Sequence, residues 1–336
     1  MIRMPQPSYA YAAAHVFALE NKLISQDRLE RMVDAPSAVD AYRILAETEY
    51  GNNISDISDP YSYEKLLSEE TRRLHELIDS ISPAPNLTNL FFVKYDFHNI
   101  KVLLKARYLD RSNDEPLMEG GIFPIELLKE AIEERNYQAL PPVIGNSILE
   151  LDEAMDLKVD PRKIDLAMDR AMYEYIFEQC RLNKNTFVRN YFVAQVDLIN
   201  IRSFLRVRKM DGTFTFLKEA LLPNGIIGVD FFERMMSMPL EDLINELSHT
   251  QYADVVREGV QDFIRSGRLT AYERLMDNFL LNYVKSARWN PTGLEPVIGY
   301  LLAKESEIRL IRIIMVGKIN NLSAGKIRER LRDVYV

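Results

Sequence analysis

One stretch occurs three times along the chain, and it limits the fold more than any other feature. It reads FFVKYDFHNIKVLLKAR from Phe91 to Arg107, FVAQVDLINIRSFLRVR from Phe192 to Arg208, and LAKESEIRLIRIIMVGK from Leu302 to Lys318. The copies start 101 and then 110 residues apart. In this register Asp96, Asp197 and Glu307 align, as do Ile100, Ile201 and Ile311. Lys101, Arg202 and Arg312 form another column, and Arg107, Arg208 and Lys318 a fourth. Repetition at this period points to one structural unit built three times. Within each copy the acid, two apolar residues and the last base fall at i, i+4, i+7 and i+11, which is one face of an α-helix. For the first copy these are Asp96, Ile100, Leu103 and Arg107. Acid and last base are about 16 Å apart by helix rise, too far to pair within one helix. The nearer bases, at i+5, lie off the acid's face. Two readings follow. In one, the stripe is core and the charges suit the helix dipole; in the other, acids and bases meet between repeats or face a partner.

A second element also recurs. Glu30-Arg31-Met32 with Pro36 matches Glu233-Arg234-Met235 with Pro239, and Asp40, Leu45, Thr48 and Tyr50 match Asp242, Leu247, Thr250 and Tyr252 after a one-residue offset. The middle counterpart, around Ile122 to Tyr137, is too divergent to align. Between these elements the periodicity predicts helices over Tyr9–Leu23, Tyr61–Ser80, Pro124–Asn136, Pro161–Arg181 and Leu269–Ala287. Ser25 and Ser37 stand where helix starts are expected, Gly51 where a left-handed cap is expected, and loops are expected over Gly51–Pro60 and Ser112–Pro116. Tyr50 and Tyr252 are candidate anchors for a partner, tyrosine being favoured in binding hot spots, or simply packed residues. Boundaries of three helical units are expected near 1–117, 118–222 and 223–336, with the N-terminal short helices completing the cycle begun by the C-terminal one.

Only 13 glycines in 336 residues, with 47% hydrophobic content, favour an all-α protein with a sizeable core. The net charge of −8 and the lack of a basic stripe exclude nucleic acid as the expected partner. The single cysteine, Cys180, excludes an intrachain disulfide and reads as a buried structural thiol. No signal peptide is expected, and no apolar run approaches the length of a membrane span. Catalytic patterns are missing: His75-Glu76 is followed by Asp79 where a zinc protease needs its second histidine, and Gly317-Lys318 lacks the first glycine of a phosphate loop. No cofactor or metal is expected, and the chain reads as a non-enzyme.

Taken in order, the Tyr9-Ala-Tyr-Ala start, Leu45-Ala-Glu-Thr-Glu-Tyr50-Gly51, Tyr95-Asp-Phe-His-Asn-Ile-Lys101, Asp197 with Asn200-Ile201-Arg202, and Lys304-Glu305-Ser-Glu307 with Arg312 carry a resemblance over essentially the whole length. The chain resembles the C subunits of the archaeal and bacterial V-type (A-type) ATPases, relatives of the eukaryotic vacuolar d subunit. His15 departs from the arginine common there. The resemblance implies a funnel of three helical units about a pseudo-threefold axis. It implies a non-catalytic rotor adaptor on the cytoplasmic face, with the D and F subunits of the central stalk and the proteolipid rotor ring as partners. That adaptor would carry torque between ATP chemistry and H⁺ or Na⁺ transport. A generic helical-repeat scaffold for other soluble proteins is the alternative, and a helical enzyme whose site escapes motif search is a third.

Overall fold

The computed structural model describes residues 8–53, 59–109, 117–157 and 159–335. The loop expected at Ser112–Pro116, and the middle of that expected at Gly51–Pro60, lie outside the described residues. The helices in order are α1 (Tyr9–Glu20), α2 (Gln26–Asp34), α3 (Ala38–Ala46), α4 (Tyr63–Ile81), α5 (Pro85–Thr88), α6 (Val93–Leu109), α7 (Ile125–Glu133), α8 (Pro142–Leu157) and α9 (Pro161–Asn183). They continue as α10 (Thr186–Lys209), α11 (Phe214–Ala220), α12 (Val229–Met235), α13 (Leu240–Glu246), α14 (Ala253–Ser266), α15 (Thr270–Ala287), α16 (Glu295–Ile319) and α17 (Ala324–Arg328). Short 3₁₀ turns lie at Glu49–Asn53, Pro60–Ser62, Asn89–Phe91 and Tyr137–Ala139. Among the described residues there is no strand, so the fold is all-α.

Local chemistry explains the boundaries. Ser8 and Ser37 accept the backbone N–H groups of Tyr11 and Asp40 at 3.2 and 3.1 Å, capping α1 and α3. Asn185 does the same for α10 through Val188 at 2.9 Å. Ser25 precedes α2 as expected, without a side-chain cap bond. Gly51 is a correction. Positive φ among the glycines is confined to Gly120 and Gly267 in the described residues. Gly51 is required instead by close approach: a β-carbon there would lie 2.0 Å from the Ala46 carbonyl oxygen.

The described residues divide into two compact units. One is Asn86–Tyr272; the other joins the segment through Pro85 to the segment from Glu273. In the first unit, Phe97, Ile100 and Leu104 of α6 pack with Leu128 and Ile132 of α7, Ile144 and Ile148 of α8, and Ile164 and Met168 of α9. In the second, Ile311 and Ile314 of α16 pack with Met32 and Val33 of α2, Ala41 and Leu45 of α3, and Leu66 and Leu67 of α4. The apolar stripe of the repeated helix is core in all three copies, since Ile100, Leu103, Ile201, Phe204, Ile311 and Ile314 are all buried.

Two substantial helices escaped the sequence reading. α8 begins at Pro142 and carries Gly145, and α14 carries Gly259 in an otherwise regular apolar stripe of Val255, Val256, Val260 and Phe263. An isolated glycine inside a helical pattern costs about 1 kcal/mol against alanine and usually has a packing reason. Here both glycines mark close packing, against the Tyr137 backbone and the Tyr272 ring. α8 follows Tyr137, as α14 follows Tyr252 and α4 follows Tyr50.

Candidate functional site: an acid and a base bracket the short helices

The repeated acids and bases tie each long helix to the chain that leads into and out of a short one. In the first copy, buried Asp96 accepts two backbone N–H groups, from Ile122 at 2.8 Å and Phe123 at 3.0 Å, just before α7. One turn on, Asn99 exchanges both of its bonds with the backbone of Met118, at 2.9 and 2.8 Å. At the other end of α6, Arg107 donates to the Ile132 carbonyl in the last turn of α7 at 2.7 Å. It also donates to the Tyr137 hydroxyl at 2.8 Å and to the Asp152 carboxylate.

The second copy repeats the plan. Buried Asp197 accepts the Ile227 N–H at 3.0 Å, ahead of α12, and the Tyr252 hydroxyl at 2.7 Å. Asn200 exchanges bonds with Leu222 at 3.0 and 2.8 Å. Arg208 donates to the carbonyls of Met235 and Met238, both at 2.8 Å, at the end of α12. In the third copy the short helices are those at the N-terminus. Glu307 accepts the Ile24 N–H ahead of α2 and the Tyr50 hydroxyl at 2.9 Å. Lys318 donates to the Ala35 carbonyl, just past α2, at 2.6 Å. The divergent segment Ile122–Tyr137 thereby falls into register. Its second short helix is reduced to the 3₁₀ turn at Tyr137, whose phenol turns to the base end rather than the acid.

Neither sequence reading describes these charges. Asp96 lies in the first turn of α6 and suits its dipole, but Asp197 and Glu307 sit in the middle of α10 and α16, where the dipole does little. Nor do the repeated acids meet the repeated bases. Each acid holds a backbone N–H that the entry into a short helix would otherwise leave unmet, and each base holds the carbonyls at its exit. Tyr50 and Tyr252, read as candidate anchors, point inward: both are buried, with their hydroxyls on Glu307 and Asp197. The nearer bases face neighbouring helices. Lys101 of α6 pairs with Asp169 of α9 at 2.5 Å, and Arg312 of α16 forks onto Glu64 of α4 at 2.8–3.1 Å. Arg202 lies near Tyr173 and Tyr272, where its charge partly offsets the burial that pushes both phenols up.

The third copy carries a group the others lack. Lys304, one turn before Glu307, stands where the register places Val93 and Ala194. Its ammonium is buried, 2.7 Å from Glu307 and 3.0 Å from Glu70, over the Tyr50 ring at 4.4 Å. Burial pulls its pKa down, but the two carboxylates more than offset this and hold it above the usual lysine value. In the first copy the acid has no side-chain cation of this kind within its described bonds. Burial pushes Asp96 up to about 7 despite its two backbone donors. Burial also raises Cys180 to about 11, leaving an inert thiol. Asn99, Asn200, Lys304, Glu70 and Asp152 were not singled out as site residues from the sequence. The Asp-x-x-Asn-Ile-Lys/Arg pattern shared by the first two copies was the available signal for the asparagines.

Glycine permits the closest approach of loop to acid. A β-carbon at Gly121 would lie 2.2 Å from Asp96 Oδ1, and one at Gly225 2.3 Å from Asp197 Oδ1. Gly121→Ala and Gly225→Ala should each destabilise the fold by about 1–3 kcal/mol through forced displacement of the acid. Gly325→Ala, in open space within α17, should be neutral or slightly stabilising. Urea denaturation of the three variants checks this; equal midpoints for all three would contradict the close packing.

Among the described residues no cluster of His, Cys, Asp and Glu could hold a metal ion, and no helix is long and apolar enough to cross a membrane. Comparison with known proteins then places the chain. The profile of the ATP synthase (C/AC39) subunit matches residues 12–330. The chain belongs to that family. Among curated relatives, the C subunit of the V-type sodium ATPase of Enterococcus hirae is 27% identical, over 94% of this chain and 95% of its own length. The C subunit of the A-type ATP synthase of Methanocaldococcus jannaschii is 26% identical, over 96% of this chain and 86% of its own. That of Methanosarcina acetivorans is 24% identical, over 96% and 92%. A C/AC39 subunit is a structural part of a V/A-type rotary ATPase and does no catalysis of its own. The bracket geometry suits such a part, because its polar groups are used to hold helices and loops in fixed relation.

Proposed function

We propose that this chain is the rotor adaptor of a V/A-type ATPase. It couples the central stalk, made of the D and F subunits, to the proteolipid ring, and carries torque between ATP chemistry and H⁺ or Na⁺ transport. It sits on the cytoplasmic face and is held to the membrane through the ring. Part of the same proposal is a funnel of three similar units, near 1–117, 118–222 and 223–336, about a pseudo-threefold axis. The observation that carries the reading is the double tie on each long helix: acid to the entry of a short helix, base to its exit, three times over. A part that transmits torque must resist twisting, and a helix bonded to its neighbour at two points about 16 Å apart resists it better than one held by apolar contact alone. The relatives' names span a sodium ATPase and ATP synthases, which fits an adaptor indifferent to the ion and to the direction of the chemistry.

The test is affinity purification of the tagged chain from detergent-solubilised membranes. The D and F stalk subunits and the ring proteolipid should be recovered together. Recovery of other soluble proteins without either would favour the generic scaffold and overturn the adaptor.

A further inference from the structure

After α17 the chain runs without regular structure over 331–335, within the unit that contains α16. Three ties hold this segment, and all three go to α15. Arg332 donates to the Asp277 carboxylate at 2.9 Å, the Asp333 N–H to Asn278 Oδ1 at 3.0 Å, and Lys285 to the Val334 carbonyl at 3.2 Å. Tyr335, which follows, is buried against α16. Gly299 makes room for it, since a β-carbon there would lie 2.7 Å from the Tyr335 hydroxyl.

Two spaces meet at this segment. One is a void of about 10 Å³ whose lining includes Ile24, Glu307, Val334 and Tyr335; it is at the lower limit for a single water. The other is a groove of about 430 Å³ among α2, α15 and the segment itself. Leu29, Leu310 and Val334 line both, so these three side chains are the wall between them. Leu29 and Leu310 are fixed in α2 and α16, whereas Val334 stands on irregular chain. The other two brackets are covered differently. There Gly121 and Gly225 bring the entering loop against the acid, while the third copy has Lys22 at that place, exposed and paired with Glu49 at 3.4 Å.

We propose that segment 331–335 is a lid on the third bracket. Seated, it keeps water from the bond between Glu307 and the Ile24 N–H and so locks α2 to α16. Lifted, it joins the void to the groove, and that bond must compete with water. Its hinge side is polar and its closing side is the Val334 and Tyr335 side chains, so it can detach from α15 without unfolding a helix. Glu307 keeps Lys304 and the Tyr50 hydroxyl when the lid is up, which spares it from being stranded. One stave of the three thereby carries a lock that opens separately from the others.

Hydrogen exchange of the full chain tests this, read by NMR at the Ile24 amide and, as internal controls, at Ile122, Phe123 and Ile227 in the other brackets. Two variants lift the lid by different means. Arg332→Ala cuts a tie while Asp277 keeps Arg309, at 2.9 Å, as its partner. Gly299→Ala pushes Tyr335 out of its seat, although alanine favours the helix it enters. Each should speed exchange at Ile24 by about tenfold or more and leave the three control amides unchanged. Adding Tyr335→Phe to Gly299→Ala removes the atom that clashes and should slow Ile24 again. Exchange at Ile24 as slow as in the wild type in both variants, or a rise shared by all the brackets, overturns the lid. So does a double variant that exchanges as fast as Gly299→Ala alone, since the effect would then belong to α16 itself.

Discussion

Replacing Lys304 with methionine should destabilise the unit that contains α16 by about 3–5 kcal/mol. Lys304 is buried between Glu307 and Glu70, at 2.7 and 3.0 Å. Methionine keeps its length and apolar stem, so packing changes little, but two carboxylates are then left in a water-poor site without their cation. Glu307 cannot turn away, because it also holds the Ile24 N–H and the Tyr50 hydroxyl. Adding Glu70→Gln should recover part of the loss, since it removes one of the stranded charges, and the two changes should be non-additive. Urea denaturation of the two single variants and the double variant measures this. A Lys304→Met protein as stable as the wild type would show that the cluster does not hold α16 to its neighbours.

Asp96 should give the fold a distinctive pH dependence. Burial raises its pKa in the folded protein to about 7, whereas an unfolded aspartate titrates near 3.9. Between these values the folded chain binds more protons than the unfolded one, so stability falls as pH rises. The contribution of the neutral acid is fully present below about pH 4 and is lost as pH climbs through about 7. A pKa displaced from about 4 to about 7 corresponds to about 4 kcal/mol at most. Other carboxylates contribute their own slopes, so the informative quantity is a difference. Asp96→Asn, which cannot ionise, puts an amide NH2 where one carboxyl oxygen accepts a backbone N–H, so it should start less stable than the wild type near pH 4. It should then gain on it by up to about 1.4 kcal/mol per pH unit between about pH 4 and 7 and level off above that. A difference between the two that does not change with pH would contradict this account. Tyr175, whose phenol is raised first by its own burial and then by the Asp96 charge, is the titratable neighbour on α9. It ionises too high to intrude on this window.

The long helices were legible because their information is periodic. Ile100, Leu103, Ile201, Phe204, Ile311 and Ile314 recur at helical spacing, and all are core. The use made of the charges was not legible. Asp96 is answered by Ile122 and Phe123 through their backbone N–H groups, and Lys318 by the Ala35 carbonyl. Any residue except proline offers that N–H, and every residue offers that carbonyl, so the partner leaves no mark in the sequence. α8 and α14 were not expected from the sequence; Gly145 and Gly259 within them weaken the helical pattern, and only the structure shows the Tyr137 backbone and the Tyr272 ring packed against them. The middle copy of the short-helix element shows a third limit, since its second helix is reduced to a 3₁₀ turn and its tyrosine, Tyr137, serves the base end rather than the acid. Where the copies differ, the difference was visible but silent. Lys304 in place of Val93 and Ala194 could be read off the alignment, but its role needed Glu70, which lies far off in the chain.

The repeated stave, with its acid at one end and its base at the other, is the part of this chain that a rotor adaptor would depend on most. A cryo-electron-microscopy map of the whole ATPase containing this chain tests that most directly. It should show the chain between the D–F stalk and the proteolipid ring, with the brackets at Asp96–Arg107, Asp197–Arg208 and Glu307–Lys318 repeated around one axis. A map with the chain bound away from the rotor, or with the three brackets unrelated by any such axis, would contradict the account.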